Sequence, residues 1–289
     1  MIATTPQLTR AYLEAKVREA LEEDLGPDGR DVTTDAVVPP ELHAEAALVA
    51  GADGVVAGLA VAAEVFRQVD ASCRFEAVTA EGGRVGRGDV VARVRGPLAS
   101  LLRAERTALN FLQQLSGVAT LTRRHVEAAG PAVAVLDTRK TVPGLRPLQR
   151  HAVLAGGGVS HRYNLAGAVL IKDNHVAAAG GTAAAIRRAR TAGLPVEVEV
   201  ESLAELRTAL AEGAEAVLLD NMGPAEVAEA VRVAAGRTVL EVSGGVSEAS
   251  IAAYAATGVD RISVGALTHS APALDVSMEV TRTWQQRTT

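Results

Sequence analysis

Residues 137–175 gather six cations, Arg139, Lys140, Arg146, Arg150, Arg162 and Lys172, against Asp137 and Asp173 alone. The stretch therefore carries +4 inside a chain of net charge −5. His151, His161 and His175, half of the histidines, fall in the same stretch. Cations packed this closely repel one another unless carboxylates or an anionic ligand neutralise them, so the segment reads as an anion-binding site. Arginine outnumbers lysine 26 to 3, which makes Lys140 and Lys172 informative choices. A guanidinium grips carboxylate or phosphate as a planar fork, whereas an ammonium is a compact, movable point charge. Glu197, Glu199 and Glu201 alternate with Val196, Val198 and Val200. If the valines face covering helices, the glutamates point inward, where they need cations or sugar hydroxyls. Parity alone does not choose among the three. Ser243-Gly244-Gly245 and Gly265-Ala266 each close an apolar run. Glycines let backbone N–H groups approach a phosphate, and a following helix N-terminus adds favourable potential. His269 stands close enough in sequence to add a donor.

These residues need elements that end where they stand. The apolar runs 132–140, 168–173, 196–201, 216–221, 238–245 and 261–265 alternate with helical stretches at about 182–192, 202–212, 224–235 and 247–257. That rhythm is of parallel β/α units, in an open sheet or a barrel. Six strands are two short of a full barrel, and the gap 141–167 has room for another. In a barrel the site lies at the strands' carboxyl ends, with phosphate bound late in the chain. Asp137 to Lys140, Lys172 to His175, Glu199 to Glu201, Asp220-Asn221, Ser243 to Gly245 and Gly265 all stand at such ends.

Upstream, residues 7–24 read as an amphipathic helix on Leu8, Tyr12, Val17 and Leu21, followed by a solvated acidic loop from Glu22 to Asp35. Residues 42–96 form an α+β module of short β-rich runs and one helix, Leu59 to Val69. Residues 97–130 turn helical along a leucine stripe, with a break expected at Ser116-Gly117. With 289 residues, the chain is one large domain or two ordinary ones. A pI near 5.8 disfavours general nucleic-acid binding. One cysteine, Cys73, excludes a disulfide framework and a cysteine-based zinc site. The first residues lack the apolar core of a signal peptide, and Gly54–Ala63, the longest uncharged apolar stretch, is far short of the roughly 18 residues of a membrane span. A cytoplasmic enzyme is expected.

The strings EDLGPDGRDVTTD, ERTALNFLQQLSGVAT, DTRKTVPGLR, GGGVSHRYNL, LIKDNHV, VEVEVES, LLDN, EVSGG and GVDRISVGALTHS resemble, in order and without a large gap, the quinolinate phosphoribosyltransferase family. The likeness runs from about residue 20 to 280, and no position expected to be functional departs from the pattern. It implies an α/β fold: an N-terminal α/β sandwich domain (1–112, with 275–289 packing back on it) and an incomplete, TIM-like parallel β/α barrel (113–274). It implies transfer of a phosphoribosyl group from phosphoribosyl pyrophosphate to quinolinate with decarboxylation. It also implies a homodimer in which Arg106 reaches the partner subunit's site.

By the same resemblance, Thr138, Arg139, Lys140, His161, Arg162 and Lys172 line the quinolinate and pyrophosphate region. Glu199 and Asp220 hold the ribose end and Mg2+, the metal bound mainly through substrate and water. Ser243, Gly244, Gly245, Gly265 and His269 surround the 5′-phosphate. Lys140, Lys172, Glu199 and Asp220 carry the catalysis. Three alternatives stay open at this point: a molybdenum-transport-associated paralogue, a lyase forming a Schiff base on Lys140 or Lys172, and a non-catalytic anion binder.

Overall fold

A computed structural model describes residues 8–285; the expectations that touch residues 1–7 and 286–289 lie outside it. The chain forms two compact units. Thr122–Arg146 and Gly157–Ser270 belong to the first, and the described parts of Gln7–Leu121, Pro147–Gly156 and Ala271–Thr289 to the second.

The first unit holds a six-stranded sheet in the order Ala134–Leu136, Arg261–Ser263, Val239–Ser243, Ala216–Asp220, Val196–Val200, Val169–Ile171. Every neighbouring pair is parallel. All six strands coincide with the apolar runs of the sequence. The gap 141–167 contributes no full strand but one parallel bridge, Leu136 to Val159, so the barrel is incomplete. Helices Thr182–Ala189, Leu203–Ala211 and Pro224–Ala234 fill three of the expected helical stretches. Ser202 caps the second by accepting from the Glu205 N–H at 3.3 Å. Val198, Val217, Leu219, Val242 and Ile262 are fully buried, as strands covered on both faces require. The fourth helix is shorter than expected: it starts at Ile251 and has five residues. A turn held by Ser247 and Ser250 occupies its expected first turn.

The second unit is built on an antiparallel sheet in the order Val276–Gln285, Leu42–Ala50, Val90–Pro97, Arg74–Ala77. Helix Leu59–Val69 buries Leu59, Val61, Ala62, Val65 and Phe66, and helix Arg10–Leu25 buries Val17 and Leu21. The acidic stretch is more ordered than a solvated loop. Glu22 to Leu25 complete the first helix, and Asp31 caps Val32–Val37 by accepting from the Thr33 and Thr34 N–H groups, both at 3.0 Å.

The break expected at Ser116-Gly117 is absent; Leu98–Ala129 is one continuous helix of 32 residues. Gly117 is there for proximity. A Cβ on it would stand 2.9 Å from the Pro272 carbonyl carbon, so only glycine lets that backbone lie against the helix. Ser116 Oγ accepts from the Ala57 N–H at 3.0 Å and donates to the Ala57 carbonyl at 3.2 Å. Both residues that looked like a helix breaker are packing residues. Among the described residues, no helix is long and apolar enough to cross a membrane.

Candidate active site

A cavity of about 720 Å³ opens at the carboxyl ends of the parallel strands. Thirteen of the fourteen site residues expected from the sequence line it: Thr138, Arg139, Lys140, His161, Arg162, Lys172, Glu199, Asp220, Ser243, Gly244, Gly245, Gly265 and His269. The fourteenth, Arg106, is exposed on the long helix and does not line this cavity.

One wall is cationic. Asp137, fully buried, ends its strand and fixes the neighbouring segment by accepting from the His161 N–H at 2.9 Å and from Ser160 Oγ at 3.3 Å. The following turn is held by the Lys140 N–H on Thr138 Oγ1 (3.0 Å) and by Thr268 Oγ1 on the Lys140 carbonyl (2.8 Å). Arg146 braces the loop from outside the cavity, donating to Thr141 Oγ1 at 3.0 Å and to the carbonyls of Tyr163 and Arg139 at 3.2 and 3.3 Å. Arg162 donates to the Ala168 carbonyl at 3.0 Å. Burial, then the nearby Arg139 charge, lowers the Arg162 pKa from its usual value. Arg139 Nε is itself buried without a protein acceptor. Two mutually repelling guanidiniums facing one space suit an anionic guest.

The cluster read from the sequence is therefore too large. Four of its six cations reach the cavity. Arg146 is a brace and Arg150 is fully buried. His151 pairs with Glu81 at 2.9 Å in the second unit, and His175 Nδ1 accepts the Lys172 N–H at 2.9 Å.

The opposite wall is acidic. Glu199 bonds Lys172 Nζ, and Glu197 bonds His161 Nε2 at 3.0 Å, so the inward parity of both glutamates holds. Glu201 lies past the strand end and is exposed. Asp220 accepts from Asn221 Nδ2 at 2.7 Å, while the Asn221 N–H donates to the Ser243 carbonyl at 2.9 Å. Next to it the chain turns through Gly244 (φ +94°) and Gly245 (φ +63°). A Cβ on Gly244 would sit 2.8 Å from Asn221 Cγ and 3.0 Å from Asn221 N. Because the following helix begins only at Ile251, this cradle rests on glycine backbone and not on a helix dipole.

Sequence reasoning placed Asn221 at a strand end without giving it a role, and missed Ser263 and above all Glu241; all three line the cavity. Glu241 has no exposed surface, and its Oε1 lies 3.4 Å from His161 Nε2. Burial, then the Glu197 charge, pushes it up to about 7. Burial alone would lower His161, but the Glu197 hydrogen bond and the Glu241 and Glu197 charges leave its pKa raised. The available signal was a lone glutamate inside an apolar parallel strand. Below the main cavity, a smaller one of about 70 Å³ is lined by His161, Arg162, Glu197, Glu215 and Arg261.

Comparison with known proteins agrees with this geometry. Residues 31–116 match the N-terminal domain, and residues 118–279 the C-terminal domain, of quinolinate phosphoribosyl transferase. The chain is 43% identical over 272 residues to the nicotinate-nucleotide pyrophosphorylase [carboxylating] of Mycobacterium leprae, covering 91% of this chain and 95% of that one. It is 40% identical over 263 residues to the probable enzyme of the same name from Bacillus subtilis, covering 90% of each. The solved nicotinate-nucleotide pyrophosphorylase of Francisella tularensis superposes with a TM-score of 0.91 at 38% identity, covering 96% of this chain and all of that one. Two domain matches that together span most of the chain, and relatives matched over nearly their full length, place this chain in the quinolinate phosphoribosyltransferase family.

Proposed function

We propose that the chain transfers the phosphoribosyl group of phosphoribosyl pyrophosphate to quinolinate with loss of one carboxylate, giving nicotinate mononucleotide, pyrophosphate and CO2. It thereby acts as a pentosyltransferase in de novo NAD biosynthesis. One observation carries this reading. A single cavity brings two half-buried arginines and two lysines together with Glu199 and Asp220, with a glycine cradle beside them. A dianionic ring acid, a ribosyl centre and a phosphate each find their complement there.

In this reading Arg139, Arg162 and Lys172 grip the acceptor's two carboxylates, and Arg106 of a partner subunit in a homodimer completes the grip. Ser243 to Gly245, Gly265 and His269 surround the 5′-phosphate. The ribosyl carbon gains positive charge as pyrophosphate departs, and Glu199 and Asp220 stabilise that charge. Lys140 and Lys172 balance the negative charge leaving with pyrophosphate. Once the ring nitrogen is alkylated it is cationic, so loss of the adjacent carboxylate leaves an electron pair stabilised by that charge. That ring carbon then takes up a proton from solvent to give the nicotinate ring, and the chain's task in the step is to hold the ring in place.

Glu199 and Asp220 both line the cavity, and carboxylate oxygens suit Mg2+, which keeps several waters and substrate oxygens in its shell. Glu199 and Asp220 would hold it, and when bound it would neutralise the pyrophosphate. A cytoplasmic setting accords with Cys73, a buried and unpaired thiol that burial pushes up to about 11 and so renders unreactive. The Schiff-base alternative finds no support at Lys172, whose Nζ is engaged by Glu199.

The test is mass-spectrometric analysis of products with quinolinate and nicotinate offered separately. Quinolinate should be turned over far faster than nicotinate, activity should vanish with EDTA and it should return with Mg2+. Equal turnover of nicotinate would overturn the assignment.

A further inference from the structure

Beneath the cationic wall lies a group of side chains that the reaction as described does not use. His161 Nε2 is 3.0 Å from Glu197 Oε2 and 3.4 Å from Glu241 Oε1. On the other side of the ring, His161 Nδ1 accepts the backbone N–H of Arg162 at 2.7 Å. Both ring nitrogens are thus committed to protein groups. The backbone of His161 is pinned as well, by its N–H on the buried Asp137.

The two carboxylates are an odd choice for packing. Glu241 is fully buried, with Ser263 and His161 as its polar neighbours, and Glu197 Oε1 has no hydrogen-bond partner. Buried charges recover their desolvation cost poorly, so such a pair adds little to stability. Its return is in orientation. The ring can satisfy Glu197 and the Arg162 amide together only in one rotamer. That rotamer sets the backbone at Arg162, from which the guanidinium extends to the cavity beside Arg139.

We propose that Glu197 and Glu241 are positioning residues that hold the His161 ring from inside the barrel and, through it, set Arg162 against the acceptor's carboxylates. This rests on the transferase reading above. His161 then acts through Arg162, and the loss of either carboxylate loosens the acceptor while leaving the phosphoribosyl donor alone.

The experiment has two arms. In the first, Glu197→Gln and Glu241→Gln are compared with wild type by steady-state kinetics and thermal melting. Removing either negative charge from beside the His161 ring should raise the quinolinate KM about tenfold, with the phosphoribosyl pyrophosphate KM and Tm nearly unchanged. Equal shifts in both KM values together with a fallen Tm would overturn the proposal in favour of a merely structural pair.

In the second arm, 15N NMR of the wild-type protein locates the proton on the neutral His161 ring, with the resonance assigned by His161→Gln. The geometry requires the proton on Nε2, facing Glu197, with Nδ1 bare toward Arg162. A proton on Nδ1 would overturn the proposal even if neither variant folded. This arm needs no turnover, so failure of quinolinate as substrate would show separately in the wild-type kinetics.

Discussion

Gly244→Ala is the most demanding test of the phosphate cradle, because the structure sets its cost from two sources. At φ +94° the backbone lies outside even the small left-handed region that L-residues visit, at a cost of about 1–2 kcal/mol. The new Cβ would also lie 2.8 Å from Asn221 Cγ and 3.0 Å from Asn221 N. That backbone cannot swing aside cheaply, since its N–H holds the Ser243 carbonyl at 2.9 Å and its side chain holds Asp220 at 2.7 Å. Relief of the clash therefore moves Asp220, the cradle, or both. The combined strain of about 2–3 kcal/mol sets an upper bound of roughly 30- to 150-fold on the loss in kcat/KM.

Steady-state kinetics should show this loss chiefly in the KM for phosphoribosyl pyrophosphate, with the quinolinate KM little changed, and thermal melting should show a Tm lower by several degrees. Gly245→Ala is the internal control. Its φ of +63° is one that non-glycine residues do adopt, and no protein atom lies within 4 Å of its Cβ position. Its Tm loss should be clearly smaller. Equal Tm losses for the two variants, or a Gly244→Ala enzyme with wild-type donor KM, would refute the reasoning.

Other outcomes follow from the same geometry. Glu199→Gln, which keeps shape and removes charge beside Lys172, should lower kcat more than it weakens quinolinate binding, and exposed Glu201→Gln should be mild; the reverse order in kinetics would mean the wrong carboxylate faces the ribose. Lys172→Ala should cost about 10- to 200-fold in kcat/KM, and Lys172→Arg should restore it only in part, because a planar fork does not copy a compact ammonium. Mixing the impaired Arg106→Ala and Lys172→Ala subunits should raise activity above the residual level of either variant alone if a dimer shares its sites; mixed dimers that form and show no such gain would exclude a borrowed arginine.

In the second unit, Glu81 accepts from the Gly58 and Leu59 N–H groups at 2.7 and 3.1 Å and pairs with His151. Burial works against its charge, but these bonds more than offset it and lower its pKa. Its stabilisation is thus present above the ordinary carboxylate pKa and lost as pH falls through the lower folded value. Glu81→Ala should cost about 1–3 kcal/mol near neutrality. The Tm gap to wild type should close in acid; a gap that does not change with pH would contradict the assignment.

What could be read from the sequence was whatever is local to a strand and its end. Asp137 to Lys140, Lys172, Asp220 and Ser243 to Gly245 each stand at the end of an apolar run, and Glu199 alternates with valines inside one, so finding the runs found the residues that line the cavity. The errors arose where tertiary contact decides. Counting charge drew Arg146 and Arg150 into the cation cluster, because composition does not distinguish a brace or a buried side chain from a ligand. Gly117 looked like a helix breaker because the backbone it admits, at Pro272, lies far away in sequence. Glu241 went unnoticed because its meaning depends on His161, which a different strand–loop segment supplies. The family resemblance chose Glu199 among three alternating glutamates; in the structure Glu199 lines the cavity and bonds Lys172, Glu197 bonds His161, and Glu201 is exposed past the strand end.

The most direct measurement follows the carboxylate itself. Quinolinate labelled with 13C in its 2-carboxylate is incubated with phosphoribosyl pyrophosphate and Mg2+, and CO2 and nucleotide are quantified together for wild type and Lys172→Ala. Wild type should release one labelled CO2 for each nicotinate mononucleotide formed, at a rate that Lys172→Ala lowers at least tenfold. Label retained in the nucleotide, or an unchanged rate in Lys172→Ala, would contradict decarboxylating transfer in this cavity.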